Sequence, residues 1–467
     1  MVVGNVPEAA DFVVVGAGPG GYAAALRAAA QGRKVVLIDS AGVRGAGGVC
    51  LHTGCIPSKT LIEAAHLHHS ASHGSLGVSA EQVQFDTPAF QAQKLQIVDE
   101  LSGGVRGLLE HAGVEFVHGS VALTEPDTCV VNLDDGNILF LTFEALVLAT
   151  GSSPAELPDL PFDGERILDS TGVLALQSLP STLAVVGAGY VGLELGTALA
   201  KLGVRVTILD VESRVLPQMD PLIAKVVQGR LQALGINFHA GARARGWEQG
   251  QLCAEADEGG LIRIDAEQVL VAVGRRANAH GLGLSELGID VNDNGCLDVA
   301  ENCLLTERIA AIGDLTAGPA LAHKAMAQAR VAVDALLGKP AGFDAVVPEI
   351  VFCDPEVACA GLTLEAAHEH GLEASTFRFP LAASGRAVTL GVPEGFCQLV
   401  VDADGLILGV QMVGAQASER IAEAVVAIEF GASAEDLALC IHPHPTLSES
   451  LNEAAQLAAG IPLHIGR

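Results

Sequence analysis

Two cysteines stand five positions apart in Gly48-Val-Cys50-Leu-His-Thr-Gly-Cys55-Ile-Pro-Ser-Lys59, leading into a helix predicted over 57–69. Pro57 suits the first turn of that helix, where its missing N–H leaves nothing unpaired. Thiols near a helix N-terminus ionise more readily, and the thiolate is the form that exchanges with disulfides. The pattern therefore suits a redox-active dithiol. Lys59 follows one helical turn after Cys55 and faces the same way. A cation there can stabilise a thiolate or a reduced, anionic cofactor. In isolation, two unrelated buried cysteines would look the same, so the neighbouring elements decide between the readings.

Dithiol exchange also needs an acid–base group. Ile441-His442-Pro443-His444-Pro445-Thr446-Leu-Ser-Glu449 is the most informative of the histidine-bearing stretches. Its prolines stiffen the chain just before a helix predicted over 447–459. Glu449, five residues after His444, can hold an imidazole and stabilise its cation, as a carboxylate does in a catalytic triad. The residues alone leave His442 and His444 as alternatives. His66, His68, His69 and His73 cluster without a supporting carboxylate or Cys arrangement, and zinc-type Cys/His pairs are absent, so no metal is expected.

Two repeats position this chemistry. Phe12-Val-Val-Val-Gly16-Ala-Gly18-Pro-Gly-Gly21 is a strand entering a glycine turn and a helix; a second strand, 34–38, ends at Asp39. Leu183-Ala-Val-Val-Gly187-Ala-Gly189-Tyr190-Val-Gly192 repeats the design, and a strand over 204–209 ends at Asp210. Gly16 to Asp39 and Gly187 to Asp210 both span 23 positions. In such units the first Gly makes the turn, the second admits a pyrophosphate, the third lets helix pack on strand, and the acid meets a ribose. The helix N-terminus offers free N–H groups to the phosphates. A carboxylate at Asp210 repels a 2′-phosphate, and the nearest arginine is Arg214, which favours NAD over NADP. Further apolar strands end at Gly151, at Gly274 and at Gly313-Asp314, where an Asp can bond a sugar-like chain such as a flavin's ribityl.

The chain has 467 residues and a formal charge of −29. Its length suits two to four domains at roughly 150 residues each. The charge excludes nucleic acid and anionic membrane as partners, since both need clustered Lys and Arg. It permits a basic protein partner. No secretory signal is read in residues 1–11, and the stretch 12–26 is too short and too broken by Gly and Pro for a membrane span. A cytoplasmic protein is expected. There, Cys129, Cys253, Cys296, Cys303, Cys353, Cys359, Cys397 and Cys440 read as reduced core residues. The expected divisions are 1–150, a dinucleotide-binding domain; 151–275, a second one inserted; 276–346, a return to the first; and 347–467, an α+β domain without a phosphate loop.

In order and over nearly its whole length, the sequence resembles the class I pyridine nucleotide–disulfide oxidoreductases, and among them the dihydrolipoamide dehydrogenases. The resemblance rests on the motifs above together with Glu194, Val273-Gly-Arg-Arg-Ala-Asn278 and Leu321-Ala-His-Lys324. It implies an α/β fold with two Rossmann-like dinucleotide-binding domains, for FAD and NAD, plus a C-terminal α+β dimerisation domain. FAD would be bound by Gly16, Gly18, Gly21, Asp39, Lys59, Gly151, Asp314 and Ala322. NAD would be bound by Gly187, Gly189, Tyr190, Gly192, Asp210 and Gly274, with Tyr190 gating the nicotinamide pocket. Cys50 would exchange with the substrate dithiol, and Cys55 would contact the flavin. Lys59 would pair with Glu194. His444 would be the base and Glu449 its orienting partner, both supplied by the other subunit of a homodimer.

The implied reaction reoxidises dihydrolipoyl groups of a 2-oxo acid dehydrogenase or glycine cleavage complex and reduces NAD⁺. The implied partners are a lipoyl domain and the basic subunit-binding domain of an acyltransferase core. Residues 322–328 and Leu463-His-Ile465 are most similar to the variant serving branched-chain 2-oxo acid complexes. The sequence departs from the family pattern at Val49, where Thr is usual, and at Asp39 and Asp210, where Glu is usual. Both acids keep the charge on a shorter arm.

Overall fold

Val13–Val15 and Val35–Ile38 are continuous apolar runs, the mark of strands buried on both faces of a parallel sheet, and all seven residues are buried. The structure is a computed structural model and describes residues 8–74 and 76–465. Residues 1–7 of the segment read for a targeting signal lie outside the described residues. The chain forms two units. One comprises Met1–Pro57, Ala89–Ala155 and Arg275–Asp344; the other comprises Ser58–Pro88, Glu156–Gly274 and Ala345–Arg467.

In the first unit the strand Glu8–Val15 lies between Val35–Asp39 and Ile138–Leu148, parallel to both. Ile309–Ala311 adds in parallel to Ile138–Leu148. Thr128–Leu133 runs antiparallel between Glu115–Glu125 and Ile138–Leu148. The helix Pro19–Ala30 buries an alanine and glycine face, and the helix Ala322–Leu336 buries its own stripe in the same core.

The second unit holds a five-stranded parallel sheet in the order Asn237–His239, Arg205–Leu209, Thr182–Val186, Gln268–Val271, Ile167–Leu168. Numbered along the chain from Thr182–Val186, the first four strands stand in the order 3-2-1-4 of a dinucleotide-binding half. It also holds an antiparallel sheet in the order Glu349–Val351, Val357–Gly361, Ile407–Val413, Phe396–Asp402, Ala374–Pro380. The helices Ala417–Glu429 and Glu449–Ala458 pack into the core of that sheet.

The two glycine turns are built alike. Gly16 has φ +97° and a Cβ there would lie 2.4 Å from the Ala149 carbonyl oxygen; Gly187 has φ +110° and would meet the Ala272 oxygen at 2.4 Å. Gly21 and Gly192 each pack against the carbonyl of the first glycine of their own turn. Gly18 and Gly189 face open space, and a Cβ on either would meet nothing within 4 Å.

Gly16→Ala should therefore cost about 2–4 kcal/mol of stability, through steric clash and left-handed backbone. Gly18→Ala, on extended backbone facing open space, should stay within roughly 0.5 kcal/mol. Denaturant midpoints of the two apoprotein variants test this; equal losses would contradict it.

Candidate active site

The dithiol segment is fixed by glycines. Gly47 and Gly48 take φ of 98° and 60°, and the short helix Gly48–His52 that follows carries Cys50. The Gly47 N–H donates to the Ala17 carbonyl at 2.9 Å. A Cβ on Gly48 would lie 2.5 Å from Gly18 Cα. The dithiol segment thus rests directly on the first glycine turn. The second helix begins at Cys55 and runs to His73, two residues earlier than Pro57 led us to expect. Proline at the third helical position still falls in the first turn, where its lack of an N–H costs nothing. Cys55 therefore occupies the first residue of the helix, where the dipole favours a thiolate. Both cysteines are half-buried. Burial, then the charge of Cys50, pushes the Tyr22 phenol above its ordinary range, so Cys50 and the helix after the glycine turn share one electrostatic environment.

Lys59 and Glu194 are brought together. The Lys59 ammonium lies 2.8 Å from Glu194 Oε2, and the Phe352 N–H donates to Oε1 at 2.9 Å. Lys59 also sits 4.5 Å from the centre of the Phe352 ring. Glu194 is only 4% exposed, so both oxygens need these partners. Two helical turns on, the Lys201 carbonyl meets His68 Nδ1 at 3.1 Å. Lys201 and Arg230 both grip Asp354, each at 2.9 Å. Burial raises the Asp354 carboxyl, but the two cations outweigh it and hold the group below its ordinary range. His69 stacks on His73 at 4.0 Å between ring centres. Burial first, then neighbouring cations, lowers His69 to about 4. Among the described residues no group of three could hold a metal ion.

The acids that end the two glycine units are tied to backbone. Asp39 accepts from Ala17 N and Ala41 N, both at 2.8 Å. Asp210 accepts from Ala188 N at 2.6 Å and Glu212 N at 2.9 Å. Each Asp thereby braces its own glycine turn. Each oxygen keeps a second lone pair for a ribose hydroxyl. Arg214 donates to the Pro217 and Met219 carbonyls at 2.7 and 3.4 Å. Tyr190 opens the helix Tyr190–Lys201 and is partly exposed. Gly274 has φ +130° with open space beside it.

Asp314 accepts from Ser152 Oγ at 2.5 Å, and Arg275 bonds the same serine through its hydroxyl and carbonyl. Asp314 Oδ1 makes no hydrogen bond among the described residues. Gly151 has φ +69°, and its carbonyl accepts from Asn278 N at 2.9 Å. Ala322 is the first residue of its helix, which presents its N-terminal N–H groups beside the Asp314 turn. That turn is held from below by two residues of the 321–328 segment to which the motifs gave no role. Lys324, buried, donates to the Ala317 carbonyl at 2.6 Å, and Gln328 accepts from Gly313 N at 2.8 Å. Their sequence signal was two polar side chains, four apart, on the apolar stripe of a helix. Open space at the middle glycine, an Asp314 oxygen without a partner and a helix N-terminus together fit a dinucleotide such as FAD in this unit. The second glycine turn offers the same cradle for a nicotinamide dinucleotide.

The structure separates His442 from His444. The His442 side chain is 7% exposed, with its ring nitrogens on Glu423 at 2.7 Å and the Cys440 carbonyl at 3.1 Å. Among the described residues His444 bonds through Nδ1, 2.8 Å from Glu449 Oε1, and its side chain is 74% exposed. Glu449 Oε2 accepts from Thr446 N at 2.7 Å. Burial raises the Glu449 carboxyl, but the bonds from Thr446 and His444 prevail and lower it. His444 therefore presents Nε2 outward on a ring held by a carboxylate, the arrangement of a general base. Cys50 and Cys55 belong to the first unit, His444 and Glu449 to the second.

Of the eight cysteines read as core, Cys129, Cys253, Cys303, Cys353 and Cys397 are buried. Burial pushes the Cys129 and Cys397 thiols up to about 12, so they are inert. Cys296 and Cys359 are half-buried and Cys440 is exposed, which corrects the reading for these three. Cys440 follows the helix Ala434–Leu439 where the chain runs onto the surface.

Lys59→Met leaves the Glu194 carboxylate buried with one partner and should cost about 2–3 kcal/mol, discounted for the partial exposure of the lysine. Glu194→Gln keeps an acceptor for Phe352 N–H and should cost about 1 kcal/mol or less. Thermal unfolding ranks the two, and the reverse order would refute the assignment. Asp354, lowered when folded, stabilises the fold above the ordinary carboxylate range and loses that contribution as pH falls through its lowered value. Asp354→Asn should therefore be less stable than the parent at pH 7, with the gap closing in strong acid. A gap that persists unchanged would exclude the linkage.

The family model described as pyridine nucleotide-disulphide oxidoreductase matches residues 10–329, and that family's dimerisation domain matches residues 347–455. The dihydrolipoyl dehydrogenase of Geobacillus stearothermophilus is 44% identical, over 100% of this chain and 99% of its own length. That of Bacillus subtilis is 42% identical over 100% of both. Among solved structures, LpdA from Mycobacterium tuberculosis has a TM-score of 0.87 at 29% identity, covering 96% of this chain and 99% of its own. The HOCl-induced flavoprotein disulfide reductase RclA from Escherichia coli has a TM-score of 0.83 at 27% identity, with 96% and 99% covered. The chain belongs to the pyridine nucleotide–disulphide oxidoreductase family, on its dihydrolipoyl dehydrogenase branch.

Proposed function

We propose that this chain is an NAD-dependent dihydrolipoyl dehydrogenase in which Cys50 and Cys55 form the redox disulfide and His444 is the base. The activity is that of the family branch to which the chain belongs, and FAD and NAD(H) are its cofactors. The observation that carries the residue assignment is the dithiol seated on the first glycine turn, Gly48 against Gly18, with Cys55 at a helix N-terminus.

His444 takes a proton from one substrate thiol. The thiolate attacks Cys50 Sγ; the Cys50–Cys55 bond breaks and Cys55 leaves as a thiolate. His444 returns its proton to the departing Cys50 sulfur as the second substrate thiol, which passes its own proton to His444, attacks the substrate sulfur of the mixed disulfide and releases Cys50 as a thiol. The substrate is oxidised by two electrons to its cyclic disulfide, and the enzyme holds a dithiol. Bound FAD supplies the two-electron relay from that dithiol to NAD⁺. Lys59, held by Glu194, keeps a positive charge one turn from Cys55. Asp39 and Asp210 brace the glycine turns and have lone pairs left for ribose hydroxyls, and Asp314 Oδ1 is assigned to a ribityl hydroxyl. Tyr190 is assigned to the nicotinamide pocket.

A homodimer is proposed, with His444 and Glu449 serving the dithiol of the partner subunit. In support, the C-terminal region exposes Val426, Phe430, Leu439 and Ile441 close in sequence to His444, an apolar surface that suits a subunit interface. A four-part division of the chain at 150, 275 and 346 is proposed. The substrate is a dihydrolipoyl group on a lipoyl domain of a 2-oxo acid dehydrogenase or glycine cleavage complex, and the acidic surface suits a basic subunit-binding domain. A cytoplasmic location is proposed; no helix among the described residues is long and apolar enough to cross a membrane.

The test is NADH formation from dihydrolipoamide and NAD⁺, with NADP⁺ and glutathione as alternatives. NAD⁺ with dihydrolipoamide should turn over, and the alternatives should not. Cys50→Ser should abolish turnover while leaving the FAD complement intact. His444→Gln should slow it by about 10²–10⁴-fold, the span of general base catalysis, while NADH still reduces the flavin. Persistent turnover in Cys50→Ser would rule out the dithiol assignment.

A further inference from the structure

The helix Glu449–Ala458 carries a second histidine–carboxylate pair, one turn beyond the first. Glu453 lies four residues after Glu449, on the same helical face. It is buried, yet no Lys or Arg among the described residues forms an ion pair with it. Its partner comes from the C-terminal segment: His464 Nδ1 lies 2.6 Å from Glu453 Oε1, and the His464 N–H approaches Oε2 at 3.4 Å. Ile465 packs against the apolar core of the antiparallel sheet, which anchors the segment and fixes the ring over the helix. The Glu453 side chain is 8% exposed and that of His464 55%.

Without His464, the helix would hold two carboxylates one turn apart, one of them buried. Like charges at that spacing repel. We propose that His464 is a positioning residue for the reaction: it neutralises Glu453, so that Glu449 stays ionised and directed at His444. This rests on the reading of His444 as the base. The charges of His444 and, after it, His464 contribute to lowering the Glu449 carboxyl. Glu453 and Glu449 are the carboxylates that face His464.

His464→Gln leaves the Glu453 charge uncompensated near the Glu449–His444 pair. The added negative potential favours the protonated imidazole, so the base becomes available only at higher pH. The acid limb of kcat/KM for dihydrolipoamide should move up by roughly half a pH unit, as expected for one charge a helical turn away and partly screened. Glu453→Gln removes the negative charge and should move the limb down. The double variant removes both charges and should return it close to the parent position, a non-additivity that packing alone would not produce.

The experiment measures this profile in the four FAD-loaded proteins, with His444→Gln alongside. Opposite shifts that cancel in the double variant support the proposal. A His464→Gln enzyme that loses rate with its limb in place shows that the segment only packs, and overturns it. If His464→Gln does not retain FAD, Glu453→Gln decides: a downward shift supports the proposal and an unmoved limb overturns it. The base reading fails separately, if His444→Gln keeps full turnover with dihydrolipoamide.

Discussion

The buried carboxylate of Glu194 is the constraint on which the site depends. A carboxylate removed from water costs several kcal/mol unless both oxygens are satisfied. Here one oxygen takes the Lys59 ammonium and the other the Phe352 N–H. Three segments far apart in the sequence must therefore meet at one point: the helix Cys55–His73, the helix Tyr190–Lys201 and the strand end at Phe352. Asp354 repeats the device two residues further on, gripping Lys201 and Arg230, while His68 meets the Lys201 carbonyl. Two polar ties along one helix fix its rotation as well as its place. The helix that begins with Cys55 is thereby aimed by electrostatics at its far side.

A second economy is repetition. Both glycine turns use the same three steric roles: left-handed backbone at the first position, open space at the second, contact with the first carbonyl at the third. Both are braced by an Asp on the following strand, through the amide one residue after the first glycine. At these two positions the carboxylate lies against the turn. The bracing leaves acceptor capacity on each carboxylate, so structural and ligand-facing roles share one side chain.

Lys324 and Gln328, buried behind the Asp314 turn, are engaged rather than merely tolerated. Lys324 has no carboxylate within ion-pair distance among the described residues, and burial lowers its ammonium below the ordinary range. It is held by the oxygens of residues 313, 316 and 317, so its desolvation is offset by shaping the Asp314 turn. His442 and His444 show the complementary rule. Two residues apart, one has both nitrogens engaged within the fold, and the other keeps one nitrogen outward.

The sequence by itself determined the fold class, both dinucleotide units, the dithiol and the Glu449 partner. Each of these is a short-range pattern: a glycine's φ, a helix N-terminus and a matched spacing act over a few residues and survive as text. It left His442 and His444 undecided, placed the redox helix two residues late, read Cys440 as core, missed Phe352 and Ser152, and gave no role to Arg275, Lys324 and Gln328 within their motifs. Those points turn on burial and on partners up to 162 positions apart, as between Ser152 and Asp314. Only the tertiary structure decides which polar atoms are withdrawn from water, and withdrawal is what makes a distant partner obligatory.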